Sequence, residues 1–280
     1  MAKKTPLSSS EEATLTVNEA QTTQLPLLRR DWIAGLEKGL ELLRCFDEEH
    51  SRVSASEMAD LTGMTRTAVR RYLLTLAHLG YLATDGKLFW LTPRVLQFSQ
   101  AYLASSRLVR VAQPFLQRIA QGTGENAFLS VMEGDSVVYI ARQGSSAASL
   151  RPQNIGYMLG MLVPAHVTAA GTLLLALRAP QALDAWLAKI KLKTLTAHSI
   201  TDKAKLRKHL LNSRLQDWAI SEQQLELHFR GVAVPVRDIK GDVIAALSVT
   251  MYIGNEAADQ ASARVLGVMQ EAASGMRNLV

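Results

Sequence analysis

Side chains suited to binding a polyanion are concentrated in one short segment of the chain. Arg66, Arg70 and Arg71 recur at helical spacing, and Thr67 lies beside them. A guanidinium group can bind guanine through two hydrogen bonds, whereas threonine and lysine side chains mostly contact phosphate oxygens. If the segment is helical, its N-terminal half carries the chemistry that reads base edges in the major groove of DNA.

The residues around this segment predict two helices that would position it. Ser54 and Glu57 have capping-box spacing, which indicates a short helix over residues 55–62 that ends at Gly63. A second helix is predicted over residues 65–80, with its apolar side chains on one side and its arginines on the other. This arrangement is typical of a helix-turn-helix.

The chain that follows the second helix predicts a wing. Asp85-Gly86 separates two short strand-like runs, as in a tight hairpin, and Thr92-Pro93 begins a further helix. Residues 31–92 therefore predict a winged helix-turn-helix that binds double-stranded DNA. The alternatives are a winged helix that serves protein contacts, or an arginine face that is merely solvated. The predicted DNA contacts come from the helices and the wing: Ser56, Thr65, Arg66, Thr67, Arg70, Arg71, Lys87 and Trp90.

The basic residues are concentrated in two segments of the chain, which favours a polyanionic partner. The 280 residues include 31 Lys and Arg against 25 Asp and Glu, which gives a net charge of +6. Residues 64–110 hold seven bases and one acid, and residues 186–209 hold the same numbers. The first block coincides with the predicted arginine helix and wing, which favours DNA binding. The second block is predicted to be a solvated helical surface.

The rest of the chain mixes strands with helices. Paired strand-like runs occur over residues 126–141 and 230–252, each divided by a Gly-containing turn, and helical patterns lie between and after them. We therefore expect an α+β fold in which helices pack on an antiparallel sheet. Residues 1–30 are polar and lack apolar periodicity, so they are predicted to be a disordered tail.

Several classes of protein are excluded by composition and motif. The single cysteine, Cys45, cannot form a disulfide framework, and no histidine or cysteine spacing is typical of a metal site. The apolar runs are too short for a membrane span and the sequence has no secretory signal, so we expect a cytoplasmic protein without membrane contact. Residues 122–127 have G-x-G-x-x-A spacing but follow a helix rather than a strand. Neither a cofactor nor an enzymatic activity is therefore expected.

A small anion could bind in the second half of the chain. Thr168 and the small residues after it begin a predicted helix, which leaves backbone N–H groups accessible to a carboxylate. Ser248 and Thr250 alternate along a strand, so their hydroxyls share one face, although this is also ordinary strand composition. His166 precedes the helix and is interpreted as a capping or packed residue, or as a ligand contact.

Seven stretches of the chain form a pattern that is specific only when they are taken together: Ile33-Ala-Gly-Leu-Glu-Lys-Gly-Leu40, Thr65-Arg-Thr-Ala-Val-Arg-Arg-Tyr-Leu73, Leu79-Gly-Tyr-Leu-Ala-Thr-Asp-Gly86, Phe89-Trp-Leu-Thr-Pro-Arg-Val-Leu96, Pro164-Ala-His-Val-Thr168, Gly231-Val-Ala-Val-Pro-Val236 and Ala245-Ala-Leu-Ser248. With them, residues 31–280 resemble the IclR family of bacterial transcription regulators. The resemblance implies a winged helix, a linker helix over residues 93–108 and a GAF-like effector-binding and oligomerisation domain over residues 109–280. It also implies a homodimer or tetramer and, for an activator, contact with RNA polymerase.

The arginine helix, the wing and the last residues most resemble the subgroup that controls aromatic acid catabolism. This implies a small aromatic carboxylate as effector, p-hydroxybenzoate first and protocatechuate or another catabolic acid second; a ligand-independent repressor is the alternative. Members usually carry an acidic pair and then a Gly within residues 222–228, where this chain has Glu222-Gln223-Gln224 and His228. The residues assigned to the effector are Ile155, Val163, His166, Thr168, Ala169, Ala170, Ser221, Glu222, Gly231, Ser248 and Thr250.

Overall fold

The computed structural model describes residues 29–145 and 158–280. These residues fall into two units, one that ends at Arg110 and one that runs from Val111 to Val280. The tail predicted for residues 1–30 lies outside the described residues as far as residue 28. Among the helices of the described part, none is both long and apolar enough to cross a membrane.

The first unit contains a helix-turn-helix whose helix ends are fixed by caps. Ser54 Oγ accepts a hydrogen bond from Glu57 N (3.2 Å), and the Glu57 carboxylate accepts one from Ser54 N (2.7 Å). Gly63 ends the short helix in the left-handed conformation (φ 68°). The elements of this unit up to the wing are α1 (Ala34–Arg44), β1 (Val53–Ser54), α2 (Ala55–Thr62), α3 (Arg66–His78), β2 (Leu82–Thr84) and β3 (Leu88–Leu91).

Three short antiparallel strands, in the order β1-β3-β2, form the wing. The Asp85 carboxylate accepts hydrogen bonds from the backbone N–H groups of Lys87 (2.9 Å) and Leu88 (2.8 Å), which holds the predicted turn. Beneath the strands, one apolar core joins them to the helices, and it includes Leu42, Val53, Met58, Val69, Leu73, Leu82 and Phe89. The predicted winged helix-turn-helix is therefore confirmed.

Two helices follow the wing. A 3₁₀ turn over Pro93–Val95 leads into α4 (Leu96–Ser105), and α5 (Arg107–Thr123) begins after Ser106, which is extended (ψ 112°). Phe98 of α4 stacks on Tyr81, with 5.4 Å between the ring centroids. Residues 93–108, to which the sequence assigns one linker helix, thus contain a 3₁₀ turn and a break at Ser106.

A six-stranded antiparallel sheet, in the order β6-β5-β4-β9-β8-β7, organises the second unit. The hairpins β4–β5 and β8–β9 match the paired strand runs in the sequence, and pairing of β4 with β9 joins them. The edge strands β6 and β7 are too short to give a sequence signal of their own. The strands are β4 (Asn126–Glu133), β5 (Ser136–Gln143), β6 (Leu162–Pro164), β7 (Ala219–Glu222), β8 (Phe229–Arg237) and β9 (Val243–Tyr252).

Helices cover both faces of this sheet. Side chains of Phe128, Ala233 and Ala246 join the core beneath α6, while the alternate residues Val232 and Val234 point to the other face, where α9 packs. The predicted α+β class, with helices on an antiparallel sheet, is confirmed. The helices are α6 (Ala169–Ala176), α7 (Pro180–Lys189), α8 (Lys203–Gln216) and α9 (Ala258–Met276).

The start of α6 depends on the absence of a side chain at Gly171. A 3₁₀ turn over Ala165–Val167 folds back against the first turn of the helix. A Cβ at Gly171 would overlap the carbonyl oxygen and the Cα of Ala165 and lie 2.6 Å from its carbonyl carbon. Because these are backbone atoms of a buried turn, they cannot move aside as a flexible side chain could.

Gly171→Ala is expected to lower the free energy of unfolding by about 1–3 kcal/mol or more, since overpacking forces a backbone shift. Chemical denaturation of the full chain measures the change. Gly267→Ala is the matched control, because Gly267 lies within α9 and a Cβ there meets open space. It should stabilise the protein by about 0.5–1 kcal/mol through helix propensity. Equal effects of the two substitutions would contradict the proposed role of the Ala165 contact.

Candidate functional site

Helix α3 presents its arginines on the side opposite its core residues. Val69 and Leu73 are fully buried, whereas Arg66, Arg70 and Arg71 are exposed to solvent. Three guanidinium groups on one exposed helix face have the reach and the donors to contact bases and phosphates in a major groove.

Two further predicted residues lie at the ends of the helices. Thr65 is the N-cap of α3, and its Oγ1 accepts a hydrogen bond from Ala68 N (3.3 Å). Ser56, in the first turn of α2, is exposed and lines an open groove between α2 and α3 together with Arg66. The structure therefore brings Ser56 and Arg66 to one surface, whereas Thr65 already uses its hydroxyl in capping.

The wing adds Lys87 and Trp90, together with a cation that sequence reasoning missed. Lys87 is exposed at the hairpin turn. Trp90 is half-buried, and the Arg52 guanidinium carbon lies 4.1 Å from its ring centroid. Arg52 directly precedes β1, which pairs with β3, but a two-residue strand gives no pattern that would have placed Arg52 opposite Trp90.

The second unit holds a cavity at the N-terminus of α6. Seven of the residues predicted for the effector line it, and four other lining residues matter for its chemistry: Tyr139, Gln224, Leu225 and Phe229. The predicted residues in the lining are Thr168, Ala169, Ala170, Ser221, Gly231, Ser248 and Thr250.

Free backbone donors mark the α6 end of the cavity. Thr168 caps the helix through a hydrogen bond from Gly171 N to its Oγ1 (3.0 Å). Within the described residues, the N–H groups of Ala169 and Ala170 have no acceptor. Because the N-terminus of a helix carries a partial positive charge, these groups favour an anionic oxygen.

Hydroxyl groups from the sheet add to these donors. Ser248 and Thr250 are on the α6 face of β9, and neither side chain makes a hydrogen bond within the part of the chain that the structure describes. Ser221 differs, because its Oγ donates to the Val167 carbonyl (2.8 Å) and so ties β7 to the turn before α6. Ser248 and Thr250 remain available to a ligand.

Four predicted effector residues lie elsewhere. Val163 is buried in the core beneath α6, and Ile155 lies outside the described residues. Glu222 points to the other face of the sheet, where Arg230 donates two hydrogen bonds to it (2.6 and 2.8 Å). The period of two along β7 explains this, because Ser221 faces the cavity and its neighbour must then face away.

His166 is the fourth, and it packs beside the cavity rather than in it. The residue is 1% exposed, and its Nε2 lies 3.2 Å from Lys193 N and 3.1 Å from the Lys193 carbonyl oxygen. Burial lowers the pKa of His166 below its usual value. The packed-residue interpretation of His166 fits this position.

The cavity is small compared with an aromatic ring. Its volume is about 30 Å³. A cavity that holds benzene in a protein interior has a volume of about 150 Å³. An aromatic ligand would therefore have to enlarge the cavity on binding.

An exposed arginine helix on a winged helix-turn-helix, together with a separate unit that has a donor-lined cavity, defines a DNA-binding regulator that senses a small molecule. Comparison with known protein families supports this class. Residues 35–86 match the IclR helix-turn-helix domain, and residues 100–277 match the bacterial transcriptional regulator IclR C-terminal domain. The chain belongs to the IclR family. Since this family consists of transcriptional regulators, the expectation of a non-enzymatic protein is confirmed.

Curated relatives cover nearly the whole chain. The p-hydroxybenzoate hydroxylase transcriptional activator of Acinetobacter baylyi is 39% identical over 251 residues, which are 89% of this chain and 93% of the relative. The Pca operon regulatory protein of the same organism is 33% identical and covers 92% of this chain and 93% of its own length. A solved structure of the PobR inducer-binding domain from Acinetobacter, a double mutant in complex with 3-hydroxybenzoic acid, has a TM-score of 0.57 and 31% identity over 61% of this chain and 98% of that one.

The neutral state of His166 predicts a pH dependence of stability. Because the folded protein lowers this pKa, the unfolded chain binds more protons between the two pKa values, and stability falls as the pH drops below about 6.5. The difference in unfolding free energy between the wild type and His166→Gln should therefore shrink from pH 7.5 to pH 5. Burial also lowers the pKa of His209, but His209 is present in both proteins and cancels. Denaturant titrations at both pH values measure this difference. If the unfolding free energies of the two proteins differ by the same amount at pH 7.5 and pH 5, the role of His166 is contradicted.

Proposed function

We propose that this regulator activates genes of aromatic acid catabolism and that its effector is a small aromatic carboxylate, p-hydroxybenzoate first. The observation that carries the proposal is a set of donors around one cavity that have no acceptor among the described residues: the Ala169 and Ala170 N–H groups and the Ser248 and Thr250 hydroxyls. These groups would hold the carboxylate. The 39% identical relative, a p-hydroxybenzoate hydroxylase transcriptional activator, supports the choice of p-hydroxybenzoate.

The carboxylate would be recognised by neutral donors and a helix dipole. Hydrogen bonds from uncharged groups to an ionised oxygen are each worth about 1.5–3 kcal/mol, and the helix N-terminus adds about 0.3–1 kcal/mol. The Arg230 guanidinium donates hydrogen bonds to the Glu222 carboxylate and to the Glu256 carbonyl on the other face of the sheet, and the residue is only 4% exposed. The ligand's charge is thus met by dipoles in the proposed mode.

The aromatic ring would pack against apolar side chains at the opposite wall. Leu225 and Phe229 are half-buried, line the cavity and lie against the α6 core. Separating them from α6 would create the additional volume that a ring needs. Ring burial would contribute about 25 cal/mol for each Å² of apolar surface removed from water.

On the DNA side, we propose that Arg66, Thr67, Arg70 and Arg71 enter the major groove of the operator. Lys87, Trp90 and Arg52 would contact the backbone or minor groove from the wing. A homodimer or tetramer would place two winged helices on two half-sites, and effector binding would change their spacing through residues 93–108. An activator would then contact RNA polymerase.

Protocatechuate is the second candidate effector, because the Pca operon regulatory protein is 33% identical to this chain. Its ring carries one more hydroxyl than that of p-hydroxybenzoate, so a cavity shaped for one would discriminate against the other. The competing class of protein is a repressor that binds operator DNA without any ligand. A footprint that does not respond to any aromatic acid would favour that class.

Replacing Arg70 tests the DNA contact. Arg70→Ala should weaken operator binding by about 1–3 kcal/mol if the guanidinium reads a base. Arg70→Lys keeps the positive charge but loses the two-pronged hydrogen bond, so specific binding should fall while non-specific binding is retained. Fluorescence anisotropy at two salt concentrations, with operator and unrelated duplexes, separates these effects. If Arg70→Ala lowers the affinity for the operator and for the unrelated duplex equally, Arg70 contacts phosphate only and does not read a base.

A panel of aromatic acids tests the effector. A ligand at 100 times its Kd stabilises the folded state by about 2.7 kcal/mol, which thermal unfolding detects readily. We expect p-hydroxybenzoate to raise the melting temperature, and Ser248→Ala with Thr250→Val to reduce the shift. Cyclohexane carboxylate serves as a control for the carboxylate alone. If no monocyclic aromatic acid raises the melting temperature, the proposed effector class is wrong.

A further inference from the structure

The loop between β7 and β8, residues 223–228, forms the wall of the cavity that faces α6. Gln223 (φ 55°) at its start and His228 (φ 67°) at its end both adopt the left-handed conformation, which is costly for residues other than glycine. The loop is closed on itself, because Gln223 Oε1 accepts a hydrogen bond from His228 N (3.1 Å) and Gln223 N donates to Phe229 O (2.7 Å). These bonds define the conformation of the loop in the closed form of the cavity.

Hydrogen bonds from a second segment hold the same loop from outside. Thr196 Oγ1 donates to the Gln223 carbonyl (2.5 Å), and Ser199 Oγ donates to the Gln224 carbonyl (2.7 Å). These bonds fix the backbone on which Gln224 is carried, so its side chain has a defined position.

Gln224 carries an unused donor into the cavity. The residue is 6% exposed and lines the cavity, and its Oε1 accepts from Ile200 N (3.4 Å). That bond assigns the other end of the amide as the NH₂ group. Within the described residues Nε2 has no hydrogen-bond partner, although it is not sealed from the cavity as the buried unpaired atoms of His166 and Thr172 are. This donor is therefore accessible from the cavity, and a ligand that covers it without offering an acceptor leaves it unpaired, which is costly.

The position of this donor matches the far end of an aromatic acid. Thr250 of β9, Gly231 of β8 and Ser221 of β7 lie side by side across the α6 face of the sheet. With 4.7–4.9 Å between strands, β9 and β7 are about 10 Å apart, and Gln224 follows the end of β7. A carboxylate held at Ser248 and Thr250 would direct the opposite end of the ring towards the β7 side of the cavity, which Gln224, Leu225 and Phe229 line.

We infer that Gln224 is the specificity-determining residue of the effector site and that its amide NH₂ donates to an oxygen substituent para to the ligand's carboxylate. This inference rests on the proposed effector class. A hydroxyl oxygen accepts the bond, whereas benzoate leaves the buried donor unpaired and p-aminobenzoate opposes it with another donor. Sites built to bond a polar substituent reject analogues that lack it, and here the preference is expected to be tenfold or more.

Isothermal titration calorimetry on the full chain tests the inference with benzoate, p-hydroxybenzoate and p-aminobenzoate. The wild type should bind p-hydroxybenzoate at least about tenfold more tightly than the other two. Gln224→Glu keeps the acceptor for Ile200 N but replaces the donor by an acceptor, so p-aminobenzoate, which donates to it, should gain affinity relative to benzoate, while p-hydroxybenzoate can still bind by donating its O–H. Gln224→Leu removes the donor and should reduce the preference of p-hydroxybenzoate over benzoate to near unity.

Ser199→Ala is the matched control, because it removes the bonds of Ser199 Oγ with the Gln224 carbonyl, Leu195 N and Thr196 N. The bond from Thr196 Oγ1 to the Gln223 carbonyl and the bond from Ile200 N to the Gln224 amide do not involve Ser199 and keep Gln224 in place. The variant should retain the wild-type order of the three ligands. The inference is wrong if both Gln224 variants weaken the binding of all three ligands equally, or if Ser199→Ala loses the selectivity. In either case, binding of p-hydroxybenzoate by the wild type would still support the proposed function. If the wild type binds none of the three, the proposed function fails and the inference fails with it.

Discussion

The contact between Gly171 and the backbone of Ala165 is the constraint on which the second unit depends. Because no side chain separates them, the 3₁₀ turn over Ala165–Val167 lies directly against α6, and Thr168 can cap the helix. The same arrangement leaves the N–H groups of Ala169 and Ala170 without acceptors in the described part of the chain. The sheet also packs closely against the start of α6 at Gly231, because a Cβ there would lie only 3.2 Å from Ala169 Cβ. Close backbone packing, rather than a charged side chain, thus creates the donors of the cavity.

The pleat of the sheet separates two kinds of chemistry. On the α6 face, β7, β8 and β9 present Ser221, Gly231 and Thr250. On the other face, Arg230 pairs with Glu222, and Arg264 pairs with Glu125 and Glu256. Arg264 also donates to the Thr123 carbonyl at the end of α5. The charged groups hold β8, α9 and the end of α5 together. The residues that line the cavity are mostly neutral or apolar, and Glu226 and Arg230 are the charged ones among them.

Local patterns predicted much of this structure. The Ser54–Glu57 cap, Gly63 and Asp85-Gly86 define the helix-turn-helix and wing from within a few residues of sequence, and the alternation of Ser248 and Thr250 placed both hydroxyls on one face. What sequence reasoning missed depends on contacts between distant segments. Gln224 and Tyr139 reach the cavity only because the strand order brings β7 and β5 around α6, and Glu222 turned away because the register of β7 follows from its pairing with β8. The period of two shows that Ser221 and Glu222 face opposite sides of the sheet, but only the pairing of the strands shows which of them faces the cavity.

The small volume of the cavity has a consequence for the sensitivity of the regulator. When the binding-competent form is a minor one, the apparent dissociation constant equals the intrinsic constant divided by the fraction that is open. The bonds from Thr196 and Ser199 to the loop over residues 223–228 belong to the closed form described here. Thr196 and Ser199 do not line the cavity. Substitutions of these two residues would therefore change the effector concentration at which the response begins. The threshold of the response and the choice of ligand can then be adjusted by different residues.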